Sequence, residues 1–413
     1  MRKFSSAISL LVLLVFTGCQ DKNTDTLIIL AASANFESPA KINSSLPFLT
    51  SHNSELLLSW VESNEDSTVL KFSTHSGDNW VTPNVIASGS DWFVNWADYP
   101  AIVQSGNDVI SHYLQKSSTE TFAYDVRVTQ SNDNGLNWSD GFIPHNDGTL
   151  TEHGFVSMVP YSNGFFVTWL DGRNTGGGHG GNGHGGGGAM TIRGAVVTSE
   201  GELVDEVLLD EMVCDCCQTG AAITQNGPVV VYRDRTEEEI RDISIVRYVD
   251  GGWTAPQTVF ADQWNIAGCP VNGPKVATLG SNLGVAWYTG ADKKSVIKVT
   301  FSSDNGKNFH TTVLIDSAGA IGRVDMAFLN QNTAIVSWLK KSANGAEIKM
   351  AEISLDGTIK QTLTVAQSST DRRSGFPQME IIGNKVYFAW TKSVKGSPTQ
   401  IEMAVVDMSD SSI

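Results

Sequence analysis

Seven times along the chain a short apolar strand ends in an aromatic residue and gives way to a polar loop. The copies are Leu57-Leu58-Ser59-Trp60, Ile110-Ser111-His112-Tyr113, Val167-Thr168-Trp169, Val230-Val231-Tyr232, Val285-Ala286-Trp287, Val336-Ser337-Trp338 and Phe388-Ala389-Trp390. Successive aromatics stand 53, 56, 63, 55, 51 and 52 residues apart. A repeat of this length is one supersecondary unit whose apolar face needs a neighbour, so the copies must stack in a ring or a solenoid.

Each unit reads as four strands. A Pro- or Gly-marked strand comes first, as in Pro47-Phe48-Leu49 or Pro274-Lys275-Val276-Ala277. The aromatic-ended strand follows. An alternating strand such as Ile297-Lys298-Val299-Thr300-Phe301 comes third, and Thr312-Val313-Leu314-Ile315 is a fourth. Alternation of period two with β-branched residues argues for strand over helix. A charged content of 17% and 39 glycines suit a turn-rich β protein. Four strands per unit is the stoichiometry of a propeller blade. The expected class is therefore all-β: a β-propeller of four-stranded antiparallel blades, seven in number, with six and a decorated end as the alternative. The last unit has strands near 379–382, 385–390 and 401–406 but no fourth. The segment Thr26-Leu27-Ile28-Ile29-Leu30 is expected to supply it, which would satisfy an exposed sheet edge.

The N-terminus reads as a targeting segment. Arg2 and Lys3 precede an apolar run over 8–16, and Phe16-Thr17-Gly18-Cys19 leads into the polar run Gln20-Asp21-Lys22-Asn23. This resembles a bacterial lipobox. The resemblance implies that 1–18 are a cleaved lipoprotein signal peptide and that Cys19 is lipidated. Residues 19–25 are then a linker and 26–413 a single propeller domain. Gln20 after the Cys implies the outer membrane. No later apolar stretch approaches the ~18 residues that span a bilayer, so membrane contact is expected through the lipid alone. A net charge of −16 sets nucleic acid aside as a partner. A monomer is expected.

Three turns share a finer signature. Ser131-Asn132-Asp133-Asn134-Gly135-Leu136-Asn137-Trp138 fits S-x-D-x-G-x-x-W. Ser302-Ser303-Asp304-Asn305-Gly306-Lys307-Asn308-Phe309 has Phe for Trp, and Ser73-Thr74-His75-Ser76-Gly77-Asp78-Asn79-Trp80 has His for Asp. The carboxylate can accept backbone N–H groups, Gly supplies a positive φ, and the aromatic packs beneath the turn. This resembles the Asp-box (BNR) repeat of the sialidase superfamily over essentially residues 26–408. In that family the box lies between the third and fourth strands, away from the active site, which implies a structural role for Asp133 and Asp304. The family's hydrolases bind a sialic-acid carboxylate with an arginine triad, use a Tyr–Glu pair as nucleophile and base, and an Asp as acid/base. The family's first arginine lies in an R-I-P motif. The matching stretch here is Ser45-Leu46-Pro47, without the arginine, and serine does not replace a guanidinium that binds carboxylate bidentately.

The loops joining second to third strands, and those leading into the first strands, share one face of a propeller. They collect unusual residues. Cys214, Cys216 and Cys217 lead into the fourth unit and Cys269 into the fifth. Two readings stand open: two disulfides in an oxidising compartment, or a thiolate site for copper or zinc. The stretch 176–188 holds His179 and His184 among glycines, as metal ligands or as an insertion with incidental histidines. Asp171 and Arg173 follow the third aromatic. Arg233, Asp234 and Arg235 follow the fourth, with Arg241 behind. These are candidates for glycan binding or acid/base catalysis, with Trp92, Trp96 and Tyr288 as stacking platforms. Alternatively they tie neighbouring blades together. Asp98, His153, Arg323 and Asp325 lead into other blades. No P-loop, dinucleotide fingerprint, H-E-x-x-H or G-x-S-x-G motif appears. The functional expectation is a ligand- or metal-binding accessory protein working through the Cys cluster. A divergent sialidase-type exo-glycosidase acting on surface glycans and a platform for a surface protein are the alternatives.

Overall fold

The computed structural model describes residues 33–176 and 188–409. Cys19, the segment 26–30, His179 and His184 lie outside them. Among the described residues the strands form seven antiparallel sheets, the blades of a propeller. Seven blades, not six, close the ring. Each of the seven aromatics sits on the second strand of its blade: Trp60 in Glu55–Ser63, Tyr113 in Asp108–Lys116, Trp169 in Gly164–Asp171, Tyr232 in Gly227–Arg233, Trp287 in Asn282–Thr289, Trp338 in Thr333–Ser342 and Trp390 in Lys385–Lys392. All seven are buried.

The blades are not identical. Blade 2 has three strands, Ile102–Ser105, Asp108–Lys116 and Tyr124–Ser131, and its fourth is reduced to a bridge between Val128 and Phe142. Blade 7 is built from both ends of the chain. Gln378–Ile382, Lys385–Lys392 and Gln400–Asp407 are joined on the outside by Ser33–Phe36, with Ser33 opposite Val406 and Phe36 opposite Met403. The strand that completes the last blade thus lies just downstream of the one expected. The core is a set of interfaces between blades. Blade 1 meets blade 7 through Leu58 and Trp60 against Ala389 and Met403. Blade 2 meets blade 3 through Ile110 and Val126 against Phe165 and Trp169.

Two of the three signature turns are locked by their side chains. The Asp133 carboxylate accepts from Asn137 N at 2.9 Å and from Ser131 Oγ at 2.7 Å, while Ser131 Oγ accepts from Gly135 N at 2.9 Å. Asp304 repeats the pattern with Asn308 N, Ser302 Oγ and Gly306 N at 2.9, 2.7 and 2.9 Å. The hydrogen bonds to Asn137 hold the Asp133 carboxyl down at about 2. Trp138 packs edge-on against Phe72 of blade 1, ring centres 5.9 Å apart, so the turn also grips the preceding blade. The third turn differs. Without the carboxylate it is a two-residue hairpin at Gly77 and Asp78, and its His75 packs among Phe36 and Trp80. These turns follow third strands, so they lie on the face opposite the loops that lead into the inner strands.

Gly135 combines a φ of +79° with a Cβ position only 2.3 Å from Phe72 Cζ, whereas Gly77 has a φ of +62° and open space. Gly135→Ala is expected to lose about 2–4 kcal/mol through strain plus overpacking, and Gly77→Ala about 1 kcal/mol through strain alone. Chemical denaturation checks this; equal losses would contradict the grip on Phe72.

Candidate functional site

The loop face carries two clusters, one on each side of blade 3. The first lies between the outer strand of blade 3, Leu203–Val213, and the inner strand of blade 4, Gly220–Thr224. Cys214 begins this connection, and its N–H donates to Arg233 O. The chain then turns tightly enough that the sulfurs of Cys214, Cys216 and Cys217 lie within 4.8 Å of one another. Cys214 Sγ and Cys217 Sγ are 3.3 Å apart. No disulfide joins any of the four described cysteines. Cys214 and Cys217 are buried, Cys216 is half-buried and Cys269 is exposed. Cys269 comes from the next connection, before Lys275–Leu279, and reaches the Cys216 thiol.

The electrostatics single out one thiolate. Burial alone would raise the Cys214 thiol, but hydrogen bonds from Cys216 and Cys217 and the charge of Arg241 outweigh it. The thiol is held well below its ordinary value. Hydrogen bonding to that sulfur, and to Cys217 and Cys269, pushes Cys216 up, and burial pushes Cys217 up. Arg241 is fully buried. Its Nη1 donates to Cys214 Sγ at 3.2 Å, and Nη2 and Nε donate to Glu239 at 2.7 and 3.1 Å. Arg235 holds the other Glu239 oxygen at 2.6 Å and Asp215 at 3.4 Å. A buried guanidinium is tolerated because both flanks are answered by negative groups.

The other expected residues separate. Arg233 is buried and spends its donors on main-chain carbonyls: Asn272 O at 3.0 and 2.8 Å, Arg241 O at 2.7 Å and Tyr288 O at 2.7 Å. Its guanidinium lies 4.8 Å from the Trp264 ring centre. It ties blade 4 to blade 5. Asp234 accepts from Ser244 Oγ and Arg235 N, both at 2.7 Å, and burial lifts its carboxyl to about 6. Among the expected stacking platforms, Trp92 is itself stacked on Tyr113, and Trp96 lies against Phe376 and under Arg323.

Asp171 and Arg173 belong to the second cluster. Asp171 ends the second strand of blade 3, and Arg173 grips it with Nε and Nη2, each at 2.7 Å. Trp169 Nε1 donates to the same carboxylate at 2.9 Å. Beside it, the rings of His145 and His153 stack face to face, centres 3.7 Å apart and 6° from parallel. Asp147 Oδ2 lies 3.2 Å from His145 Nδ1 and 3.2 Å from His153 Nε2. On the far edge, Asp125 Oδ1 is 3.8 Å from both His145 Nε2 and His153 Nδ1. Of these four, only His153 stands out in the sequence, as a residue leading into a blade; Asp125, His145 and Asp147 do not. The signal present was His145-x-Asp147 in the connection that ends at His153.

The propeller axis holds a cavity of about 110 Å³ lined by Asp98, Tyr99, Gln218 and Lys275, among others. A buried Tyr–Glu pair lies nearby: Tyr124 OH donates to Glu152 Oε1 at 2.5 Å. Tyr124 stacks on Phe93 at 4.0 Å, and burial pushes its phenol well above its ordinary value.

No family model matches the sequence, and no curated protein is detectably similar to it. Solved structures do match. A protein of unknown function from Dyadobacter fermentans is 13% identical, with 91% of this chain and 98% of that one covered, at a TM-score of 0.52. An α-L-arabinofuranosidase from Fusarium graminearum is 11% identical, over 92% of this chain and 98% of that one, at 0.50. The NanB sialidase of Streptococcus pneumoniae is 10% identical, over 86% and 84%, at 0.49. The fold is a seven-bladed β-propeller, shared with the Dyadobacter protein and the arabinofuranosidase. Likeness at these identities speaks for the fold and leaves the chemistry to the site.

Asp98 allows a test of the axial packing. Its Oδ1 accepts from Phe155 N at 2.9 Å, Oδ2 has no hydrogen-bond partner, and burial lifts its carboxyl to about 8. A carboxyl raised in the folded state contributes stability that is complete below its unfolded pKa and is lost as pH rises through the folded one. The melting temperature is expected to fall between about pH 4 and 8, the span from the ordinary carboxyl value to the raised one. Asp98→Asn should flatten the fall; equal slopes in both proteins would refute this assignment.

Proposed function

We propose that this chain is an exported, lipid-anchored metal-binding propeller that holds a soft ion, copper(I) or zinc, between blades 3 and 4. Cys214, Cys216 and Cys217 are the ligands, and Cys269 of the next connection completes the set. One observation carries the reading: three sulfurs within 4.8 Å on a single tight connection, with no disulfide between them. Two thiolates bound to one ion at ~2.3 Å stand about 3.8–4.0 Å apart, so small side-chain rotations close the site. Arg241 favours the thiolate form of Cys214, which is the form that binds metal. Soft sulfur ligands select copper(I) and zinc over hard cations. Lipidation at Cys19 places the site at the cell envelope.

Purified protein is expected to bind one thiolate-held ion, measured by metal analysis and native mass spectrometry. Cys214→Ser, Cys216→Ser and Cys217→Ser should each remove it, and Cys269→Ser should weaken it. Metal content unchanged by these substitutions, or a native mass showing two disulfides, would overturn the proposal. Anchoring is checked separately. Wild-type protein is expected in the membrane fraction, and Cys19→Ser in the soluble exported fraction or retained as an unprocessed precursor. Processing and membrane association unaffected by Cys19→Ser would count against the lipid.

A further inference from the structure

The pair of stacked histidines between blades 2 and 3 is independent of the cysteines. His145 and His153 are both buried. Two imidazoles packed face to face inside a protein present four ring nitrogens that need partners. Only His145 Nδ1 has one, in Asp147. His145 Nε2, His153 Nδ1 and His153 Nε2 make no hydrogen bond. Leaving such groups unsatisfied costs about 1–3 kcal/mol each, and nothing in the packing of a blade junction requires two histidines here.

The arrangement sorts into an inner and an outer edge. On the inner edge, Asp147 faces both rings at 3.2 Å. Its own position is fixed, because Oδ1 accepts from Thr149 N and Thr149 Oγ1. The Arg173–Asp171 pair closes this edge behind it, with Arg173 Nη2 3.7 Å from Asp147 Oδ2. With Asp147 taking the N–H of His145 Nδ1, the lone pair of His145 must sit on Nε2, on the outer edge. Outer Nε2 of His145 and outer Nδ1 of His153 both face Asp125 Oδ1 at 3.8 Å. With the Nε2–H of His153 likewise turned to Asp147 at 3.2 Å, the three atoms on the outer edge are all acceptors. They lie within 4.8 Å of one another. Ligands at ~2.1 Å from one ion stand about 3.0–3.6 Å apart; the two rings, now 6° from parallel, must splay so that both in-plane lone pairs meet on the ion.

We infer that His145, His153 and Asp125 form a second metal site, for a divalent first-row transition ion such as zinc. Asp147 is the carboxylate behind both imidazoles, which orients them and raises their basicity. Two imidazoles and a carboxylate favour a borderline ion rather than copper(I) or calcium. Asp125 is partly exposed, so the ion has a path to solvent and a position left for water. Three protein ligands with an open fourth position is the arrangement of a zinc ion that can act on a bound molecule, not one sealed for structure alone.

Cobalt(II) tells the two sites apart. The detergent-purified full chain, stripped of metal, is titrated with Co²⁺ and followed by visible absorption and metal stoichiometry. The His/Asp site gives d–d bands without a sulfur-to-cobalt charge-transfer band; the cysteine site gives that band. His153→Gln and Asp125→Asn are expected to lose one equivalent of cobalt and leave the sulfur band in place. Asp147→Asn should keep the stoichiometry but weaken binding about 10–100-fold. Asp125 is partly exposed, and near-ultraviolet circular dichroism checks that its substitution keeps the fold. Unchanged stoichiometry and d–d bands in both His153→Gln and Asp125→Asn would overturn the inference. Failure of the cysteine site would remove the sulfur band alone, so the two ideas stand or fall separately.

Discussion

The architecture depends on a buried aromatic whose polar edge is answered by an acid. Trp60 donates to Glu62, Trp169 to Asp171, Tyr232 to Asp210, Trp287 to Asp262 and Trp338 to Asp316, at 2.6–2.9 Å. The ring fills the gap between blades, worth about 1.5–3 kcal/mol for a large apolar side chain. The N–H or O–H would cost about 1–3 kcal/mol if left bare. The acid removes that cost and points the ring. In several blades it is itself held by a base from the third or second strand: Lys71 on Glu62, Lys298 on Asp262, Lys340 on Asp316. The same ring–acid–base triplet thus repeats around the molecule, and each copy sits at the end of a second strand, facing the loops.

That repetition explains why the two candidate sites differ from their surroundings. Asp171 is the blade 3 copy of the triplet, with Arg173 as its base, and the histidine pair is built onto its flank. The proposed histidine site would thus rest on a structural element already rigid for other reasons, a placement that favours precise geometry. The cysteine cluster uses a different support. Its connection is pinned by the Cys214 N–H to Arg233 O, and Arg233 in turn is held by carbonyls of blades 4 and 5. The two sites therefore rest on separate scaffolds on opposite sides of blade 3.

The fold was legible in the sequence because its signal is repeated. Seven aromatics at near-constant spacing mark second strands, and every one lies on a second strand. The turns at Asp133 and Asp304 were legible because all their partners fall within eight residues. The turn at His75 took another form because the carboxylate that organises the others is missing. The sites were only partly legible. Three of the cysteines are local in sequence, so their convergence could be anticipated. The histidine site draws Asp125 from the third strand of blade 2, His145 and Asp147 from the connection to blade 3 and His153 from the start of that blade's inner strand, His153–Tyr161, and no short motif records that meeting. Arg233 misled because arginine suggests an acidic partner, whereas its partners here are backbone oxygens that leave no mark in a sequence. The strand expected over 26–30 and the strand Ser33–Phe36 both lie near the chain start, and an edge strand's place is weakly specified by pattern alone.

Blade 7 sets an order on the molecule's assembly. Its outermost strand, Ser33–Phe36, pairs with Gln400–Asp407, and the two are separated by nearly the whole chain. Blades 1 to 6 need only near neighbours and can form as they emerge. The ring cannot shut until the last strand has left the ribosome, and until then the first interface of blade 1 has no partner. Long-range pairing of this kind is slow and leaves apolar surface open meanwhile.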